Sequence, residues 1–402
     1  MSVARPPEEA TLPLAGLRVI AIEQYGAGPF GTQHLADLGA EVIKIENPRD
    51  GGDVGRAVGP YFFGPGDSHF HQSFNRNKKS ITLDLKQPEG RQALRRLAAD
   101  ADVVFNNLRG DLPAKLGLTY AQLKDVNPKL VCGHLSAYGR TGSRAAWPGY
   151  DYLMQAEAGY LSVTGEPDGP PARMGLSIVD LMTGTTAAMG LLAGVLGARA
   201  SGVGRDIDVS LFDVALHNLC YVATWYENAG KAVGREKRSA HPSLTPSQLY
   251  KTRDGWIFIM CNKEKFWGVL TDCIGKPEWV DAPHYRSFKD RLAHRDRLTE
   301  ELDAVLQAHT TAEWMRRFAG KVPAAPVYDI AQALDSDFVA EHQLVLEFEH
   351  PGAPVRMVAS PVRAGAHPRR AAPAMGQHTD EVLRRAGYTE AQVADLRRAG
   401  VI

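Results

Sequence analysis

The chain has 402 residues, and a length prior of about 150 residues per domain predicts two or three domains. Its 46 basic and 46 acidic residues cancel, which argues against a general electrostatic grip on nucleic acid or an anionic membrane. Four scattered cysteines, no apolar run of the roughly 18 residues that span a bilayer, and no apolar core in residues 1–13 favour a reduced, cytoplasmic protein without signal peptide.

The N-terminal part contains a strand–helix–strand unit. An apolar strand is predicted over residues 17–22, a helix over 29–38 and a second strand over 41–45. Pro29 suits the first turn of that helix, and Gly39 suits its C-terminal end. Two strands joined by a helix within about 30 residues run parallel, so the unit predicts an α/β fold with a parallel sheet.

The loop of this unit carries a G-x-G-x-x-G pattern at Gly26, Gly28 and Gly31, and Glu46 follows Gly26 by 20 positions. This is the fingerprint of dinucleotide-binding proteins, so an NAD-dependent oxidoreductase is one hypothesis. However, residues 23–25 separate the strand from Gly26 and can point side chains into the cleft. The basic, turn-rich segment after Glu46 also suits a nucleotide phosphate better than a ribose diol.

The pattern of strands and helices continues along the chain. Strands are predicted over 81–86, 103–108 and 130–135, with an edge strand over 204–210, and helices over 88–99, 120–126 and 211–228. The carboxyl ends of parallel strands form the crevice where ligands bind, so the polar end of strand 103–108 should face it.

The composition changes near residue 230. Residues 230–246 are polar and basic without periodicity and are interpreted as a linker or lid. Two β-rich runs around Asp254-Gly255 predict a hairpin, and helices follow near 264–274, 290–308 and 311–320. We therefore predict a large domain over 1–228, a small α+β domain over 229–326, and a segment over 327–402 that returns to the large domain, with a strand within 351–361 and a helix from Thr379.

Asp180 is a lone carboxylate between an apolar run and a long segment of small residues, 183–201. The helical spacing of apolar residues places it at the start of a buried helix. The free N–H groups and dipole of a helix N-terminus favour the ionised form, which is a competent nucleophile toward an activated acyl group. The alternative is an ordinary first-turn helix acid.

Together these motifs resemble the class III CoA-transferases, which include formyl-CoA:oxalate and carnitine CoA-transferases, and the related α-methylacyl-CoA racemases. The resemblance covers residues from about 15 to 390 and is carried by residues 14–20, 39–46, 75–80 and 254–256 and by Asp180 with Gly184. It implies a Rossmann-like large domain built from both chain ends, a smaller α+β domain and an interlocked homodimer.

The resemblance also implies the site residues, with Asp180 as the nucleophile. Coenzyme A, as part of the acyl-CoA substrate, would contact Gly26 and Ala27 near the pantetheine, Asn47, Leu83, Asp84, Leu85, Lys86, Asn107, Leu108, Arg109 and Lys115 toward the nucleotide, and Pro148, Gly149, Tyr150 and Asp151 at the thioester end. Arginine stands at positions 47 and 115 in the compared transferases, so Arg49 or Lys86 is expected to supply the charge missing at Asn47. No metal and no redox cofactor is expected, and the partners are an acyl-CoA, a carboxylic acid and a second copy of the chain, without nucleic acid or membrane.

One position separates transferase from racemase. A racemase needs a base on each face of the α-carbon, and the racemases carry a His where this chain has Tyr150. Since an unperturbed tyrosine has a pKa near 10, a CoA-transferase that works through an aspartyl-CoA thioester is favoured, with racemase and then NAD-dependent oxidoreductase as alternatives. His134 is the one nearby substitute base, and a packed histidine is the commoner role for it.

The acceptor acid is less defined. The glycine-rich loop that closes over oxalate in the formyl-CoA enzymes has no counterpart here, since residues 241–246 are His-Pro-Ser-Leu-Thr-Pro. Arg173, Arg238 and His241 are candidates to hold a second carboxylate, although a solvated surface position is commoner for such residues. We expect succinyl-CoA as donor and a small dicarboxylate as acceptor.

Overall fold

The protein was analysed as a computed structural model that describes residues 12–366 and 368–402. Most of the segment on which the signal-peptide prediction depends, residues 1–11, lies outside this part. The strands are β1 (Arg18–Ile22), β2 (Glu41–Glu46), β3 (Phe62–Gly64), β4 (Asp67–Ser68), β5 (Lys79–Thr82), β6 (Val103–Asn106), β7 (Val131–Ser136), β8 (Arg205–Ser210), β9 (Ser247–Lys251), β10 (Trp256–Met260), β11 (Ala324–Pro326), β12 (Val345–Phe348) and β13 (Val355–Val358).

The helices follow the same order along the chain. They are α1 (Ala27–Asp37), α2 (His69–Asn75), α3 (Pro88–Ala99), α4 (Leu112–Leu116), α5 (Tyr120–Leu123), α6 (Asp151–Glu157), α7 (Tyr160–Val163), α8 (Ile178–Ser201), α9 (Leu211–Asn218), α10 (Tyr221–Ala229), α11 (Glu264–Cys273), α12 (Phe288–Ala293), α13 (Arg295–Leu306), α14 (Thr311–Phe318), α15 (Ile330–Leu334), α16 (Asp337–Glu341), α17 (Thr379–Arg385) and α18 (Glu390–Arg398).

The chain forms two compact units. The first contains the described residues up to Ala158 together with Gly175–Cys220 and Gln343–Ile402, and the second contains Gly159–Met174 and Tyr221–His342. These limits differ from the predicted domain limits at residues 228 and 326. Gly159–Met174, predicted in the large domain, and residues 327–342, predicted in the return segment, both belong to the second unit.

The first unit is built on a six-stranded parallel sheet in the order β5-β2-β1-β6-β7-β8. Numbered by their order within the sheet, these strands run 3-2-1-4-5-6, which is the doubly wound Rossmann order. The predicted α/β class with a parallel sheet is confirmed, and β8 is an edge strand as predicted. The order reverses between β1 and β6, so the ligand crevice is expected at the carboxyl ends of these two strands.

The C-terminal residues complete the core of this unit. Val382, Leu383, Leu396 and Val401 are buried in the same apolar cluster as residues of the central strands. The backbone N–H of Asp84 donates to the carbonyl of Val401 over 2.7 Å. Both ends of the described chain therefore contribute to one core.

The second unit has its own core around a three-stranded antiparallel sheet, β11-β10-β9. The predicted hairpin is confirmed, with Tyr250 paired to Ile257 and the turn at residues 252–255. Trp267 and Trp314 are buried in that core. Residues 230–246 contain a single 3-10 turn, at Lys237–Ser239, and otherwise no regular structure.

Several predicted elements differ from those observed. The strand predicted over 81–86 is β5, which ends at Thr82, because the Asp84 carboxylate accepts the N–H of Lys86 and forms a tight turn before α3. The helix predicted over 211–228 is two helices separated at Cys220, where φ is +48°. The helix predicted over 290–308 is likewise divided into α12 and α13 at His294.

Helix α8 has the length and apolarity of a membrane span, with a mean hydropathy of 1.5 over its most apolar window. Half of that window is buried within the protein, and the helix packs against α1, β7 and β8. Such burial is typical of the core helix of an α/β unit.

Candidate active site

The loop after β1 lies at the point where the strand order reverses. The side chain of Asn107, just after β6, accepts the N–H of Gln24 over 2.9 Å and donates to the Gln24 carbonyl over 2.7 Å. A Cβ on Gly28 would lie 2.8 Å from the Asn107 side chain. The loops after β1 and β6 are therefore held together at the predicted ligand crevice, which places Gly26, Ala27 and Asn107 at one location.

Asp180 reaches the same location from α8. It is the third residue of that helix and is 7% exposed. A Cβ on Gly26 would lie 2.9 Å from its Oδ2 atom, closer than a real Cβ normally comes to another atom. The predicted nucleophile is thus a nearly buried carboxylate against the backbone that begins α1, and a larger residue at position 26 would displace the Asp180 carboxyl group.

Asp151 supports the start of α8. Its Oδ2 atom accepts the backbone N–H of Asp180 over 2.9 Å, and its Oδ1 atom accepts an N–H of Gln155 over 2.6 Å. The Ser177 side chain makes no capping hydrogen bond, so a carboxylate from α6 serves one of the helix's terminal N–H groups instead. Asp151 is 3% exposed and stands next to the nucleophile.

The protonation of Asp180 differs from the prediction. Burial, followed by the negative charge of Asp151, raises the pKa of Asp180 to about 7. The expected preference for the ionised form is therefore wrong. The reason is that a terminal N–H of the helix is occupied by Asp151, and desolvation of the carboxylate outweighs the helix dipole.

Tyr25 lies close to this carboxylate and to two further tyrosines, Tyr150 and Tyr152. Burial and the charges of Asp180, Tyr152 and Tyr150 raise the pKa of Tyr25. The rings of Tyr25 and Tyr150 lie edge to face with centroids 6.2 Å apart, and both Tyr150 and Tyr152 are exposed. Tyr150 and Asp151 thus lie near Asp180, and their role at the thioester end stays a prediction. Pro148 and Gly149 precede them, and a Cβ on Gly149 would lie 2.4 Å from that of Ala137.

Glu46 does not face the crevice. Its two carboxylate oxygens are taken by the Arg56 guanidinium, at 2.7 Å each, by the Ser80 hydroxyl and by the Asp53 N–H. Burial opposes ionisation, but Arg56 and Lys44 outweigh it and lower the pKa of Glu46 to about 2. No oxygen remains for the ribose diol that a nicotinamide cofactor would present, so the geometry disfavours the oxidoreductase hypothesis.

Glu46 belongs to a buried ionic cluster beneath the β1 loop. Its members are Glu23, Lys44, Glu46, Asp53, Arg56 and Lys78, each 5% exposed or less. Lys78 lies 2.7 Å from Glu23, and Lys44 lies 2.7 Å from Asp53. The three carboxylates and three cations give a formal charge of zero. Glu23 therefore points into the cluster and not into the cleft, contrary to what was expected of residues 23–25.

The residues expected toward the nucleotide fall into three groups. Leu83 and Leu85 are core side chains, so only their backbone is available to a ligand, whereas Leu108 is half-buried beside that core. Asp84 is buried and lies 3.3 Å from Arg49, while the exposed Lys86 lies 3.5 Å from Asp50. Asn47, which belongs with Asp84 and Lys86 in the second group, caps the turn at Pro48–Asp50.

The third of these groups is a basic pair. Arg109 and Lys115 both contact the carboxylate of Asp111, each over 2.6 Å. The hydrogen bonds from both cations hold the pKa of Asp111 below its usual range. Arg109 and Lys115 are both exposed, and two such cations are suited to a phosphate, which would compete with Asp111 for them.

His134 has no ring nitrogen left for catalysis. Its Nδ1 atom lies 2.8 Å from the Asn106 amide, and its Nε2 atom lies 3.0 Å from Asp206. It is 2% exposed. His134 therefore acts as a packed, hydrogen-bonded histidine and not as a second base.

The candidates for acceptor binding lie in the second unit. Arg238 pairs with Asp303 over 2.7 Å, so its charge is already compensated. The Nδ1 atom of His241 accepts the N–H groups of Ser243 and Leu244, and burial and Arg295 lower the pKa of His241. Arg173 donates to the carbonyl of Met174.

Tyr25 belongs to the residues 23–25 that were expected to reach the cleft, but neither its backbone conformation nor its contact with Asp53 was predicted. Asp53 Oδ1 accepts the N–H of Tyr25 over 2.8 Å, and Tyr25 has a φ of +68°. A turn-rich Gly51-Gly52-Asp53 run signals a bend but not which backbone the carboxylate will reach. Among the described residues, no group of three or more His, Cys, Asp or Glu side chains is arranged to hold a metal ion.

Comparisons with known proteins agree with this geometry. Residues 14–379 match the model of CoA-transferase family III. The succinate–glutarate CoA-transferase of Agrobacterium fabrum is 35% identical over 394 residues, covering 92% of this chain and 95% of that protein. The succinyl-CoA:mesaconate CoA-transferase of Haloarcula marismortui is 32% identical, covering 93% and 96%. The crystal structure of a CAIB/BAIF family protein from Brucella suis is similar with a TM-score of 0.82 and 30% identity, covering 94% of this chain and all of that one.

Proposed function

Because the chain belongs to CoA-transferase family III, we propose that it moves coenzyme A from succinyl-CoA to a small dicarboxylic acid through a thioester on Asp180. The observation that carries this proposal is a single carboxylate with a pKa of about 7, against the backbone of Gly26 at the crevice of the sheet. The relatives named above support succinyl-CoA as donor and a dicarboxylate as acceptor.

The first half-reaction exchanges the donor thioester for a free acid. The Asp180 carboxylate attacks the succinyl carbonyl and expels the CoA thiolate, which leaves a mixed anhydride. The thiolate then attacks the aspartyl carbonyl of the anhydride, which releases succinate and leaves an aspartyl-CoA thioester. The acceptor carboxylate attacks this thioester and expels the CoA thiolate, which leaves a second mixed anhydride between Asp180 and the acceptor. The thiolate then attacks the acceptor carbonyl of that anhydride, which forms the CoA thioester of the acceptor and frees the Asp180 carboxylate.

Each tetrahedral intermediate carries an oxyanion that needs hydrogen-bond donors. The first turn of a helix has N–H groups without intrahelical partners, and α1 begins at Ala27, beside Asp180. We assign the oxyanion to this turn. Gly184 lies inside α8, so its N–H belongs to that helix and is not assigned to the oxyanion.

The raised pKa of Asp180 suits its proposed role in both half-reactions. A carboxylate with a pKa near 7 is ionised in part at neutral pH and is more basic than an ordinary aspartate. The same property would serve a racemase, but a racemase needs a second base. His134, the substitute considered for that role, has both ring nitrogens engaged.

Initial rates with a panel of free acids and succinyl-CoA test the substrate class. We expect short dicarboxylates to be converted to their CoA thioesters, and turnover confined to monocarboxylates would contradict the proposal. The racemase alternative is tested in the same experiment series by incubating a 2-methylacyl-CoA in D₂O. Deuterium at the α-carbon without CoA transfer would favour it.

We also propose that the protein is a cytoplasmic homodimer. Two large apolar side chains of the core helix α8, Met189 and Leu196, are 66% and 69% exposed. Their exposure supports the dimer. Large exposed apolar side chains of this kind are typical of surfaces that become covered. Sedimentation equilibrium should give twice the chain mass of 43.8 kDa, whereas a concentration-independent monomer would contradict this proposal.

A further inference from the structure

Tyr25 has a backbone conformation that a bulky residue rarely adopts. Its φ is +68°, in the left-handed region where a Cβ atom crowds the following carbonyl oxygen. Such strain persists only where the surroundings hold it, and it clusters at functional sites. Tyr25 immediately precedes Gly26, whose backbone lies against Asp180.

The surroundings of Tyr25 show what holds it. Its N–H donates to Asp53 Oδ1 over 2.8 Å, and its ring packs against Phe70 with centroids 5.1 Å apart. The preceding residue, Gln24, is held on both backbone groups by Asn107. Among the described residues, Asp53 is the only member of the buried ionic cluster that makes a hydrogen bond with Tyr25.

Asp53 is itself fixed on several sides. Its Oδ2 atom lies 2.7 Å from Lys44 Nζ, its Oδ1 atom also accepts the N–H of Gly55 over 2.8 Å, and its own N–H donates to Glu46 over 3.0 Å. His71 Nδ1 lies 3.7 Å from Oδ2. A carboxylate held in this way presents a fixed acceptor to the Tyr25 N–H.

We propose that Asp53, supported by Lys44, is a positioning residue for acyl transfer at Asp180. It holds Tyr25 in the left-handed conformation, and thereby keeps Gly26 and the first turn of α1 in place against the Asp180 carboxyl group. Asp53 is 3% exposed and its oxygens face Lys44 and backbone N–H groups, so it acts through the loop and does not touch substrate. The inference rests on the proposed role of Asp180 as nucleophile.

Asp53→Asn tests this role, with Asp37→Asn as matched control. An amide has one acceptor oxygen where the carboxylate has two, so either Lys44 or the Tyr25 N–H loses its acceptor. Asp37 is also a buried carboxylate in the first unit, paired with Arg76 over 2.6 Å, and has no hydrogen bond to the β1 loop among the bonds described. Both variants should unfold at lower temperature than the wild type. Only Asp53→Asn should lower kcat, by at least about tenfold, with KM for succinyl-CoA within about twofold; equal kcat in the two variants would overturn the proposal.

A second comparison measures whether Asp53 acts through the conformation of residue 25. Asp53→Asn is combined with Tyr25→Gly in one protein and with Tyr25→Ala in another, so that both lack the ring. Glycine adopts a positive φ without strain, whereas alanine needs the hold that Asp53 supplies. The glycine combination should have a kcat at least about fivefold higher, and equal values would contradict the inference.

Mass spectrometry of the CoA adduct on Asp180 separates this inference from the proposed function. If the wild type transfers CoA without forming the adduct, this result contradicts both the role of Asp180 as nucleophile and the positioning role of Asp53. If the adduct forms at the same rate in the wild type and in Asp53→Asn, the role of Asp180 as nucleophile is supported and only the positioning role of Asp53 is contradicted.

Discussion

At the scale of single residues, the proposed reaction depends on the protonation of Asp180. The carboxyl group must be ionised to attack, and burial and the charge of Asp151 raise its pKa to about 7. The kcat/KM for succinyl-CoA should therefore be low in acid, rise through about pH 7 and level off above it. Initial rates between about pH 5 and 9 measure this profile.

Removing the charge of Asp151 tests the cause. In Asp151→Asn the neighbouring negative charge is gone while the burial remains, so the midpoint of the profile should move to lower pH but stay above that of an ordinary aspartate. Glu157→Gln is the control, because Glu157 is on the same helix but is exposed and paired with Arg144. An unchanged midpoint in Asp151→Asn would show that Asp151 does not set the proton affinity of Asp180.

The position of Asp180 could be predicted from sequence, but its pKa could not. Small and apolar residues after Asp180 indicate a buried helix, and the structure contains α8 there. The pKa depends on Asp151, which lies 29 positions earlier in the chain and bonds the Asp180 N–H through the fold. A local rule for helix N-termini cannot include a charge brought in from another helix.

At the scale of elements, the contact between α1 and α8 places the nucleophile. A Cβ on Gly184 would lie 2.4 Å from the carbonyl oxygen of Ala27, and one on Gly31 would lie 2.5 Å from that of Gly184. The two helices therefore meet backbone to backbone. This close packing sets the distance between Asp180, on α8, and Gly26, at the start of α1.

Gly184→Ala should push these helices apart. We expect a loss of about 1–3 kcal/mol in the free energy of unfolding and a fall in kcat of about tenfold or more, because Asp180 moves relative to the loop. Gly197→Ala is the matched control in the same helix, since its Cβ would be 4.0 Å from the nearest atom. That variant should keep its activity and gain up to about 1 kcal/mol from helix propensity. Equal activity and stability in the two variants would contradict the assigned contact.

Most elements could be predicted from hydrophobic periodicity, and the failures have local causes. The predicted strand over 81–86 followed the alternation of Ile81, Leu83 and Leu85, but Leu83 and Leu85 reach the core from a turn. The apolar pattern over 211–228 continues across Cys220, so it does not register the break in the backbone there. Periodicity reports which side chains are buried and not whether the backbone between them is regular.

At the scale of the whole molecule, the chain forms most of the first unit, then most of the second unit, and ends again in the first unit. The return was predicted from the family resemblance, and it is visible in the burial of Leu383, Leu396 and Val401 with the central strands. The assignment of Gly159–Met174 to the second unit was not predicted, because no change of composition marks this segment. Arg173, Arg238 and His241, the candidates for binding the acceptor, lie in the second unit.

The proposed route of CoA transfer requires a covalent bond between Asp180 and the CoA that is transferred. The most direct test is mass spectrometry of the protein quenched during incubation with succinyl-CoA, digested, and compared with a sample treated with hydroxylamine. We predict a CoA adduct on the peptide that contains Asp180, its conversion to a hydroxamate by hydroxylamine, and no adduct in Asp180→Asn. Full CoA transfer by Asp180→Asn, or an adduct on another carboxylate such as Asp151, would contradict the account.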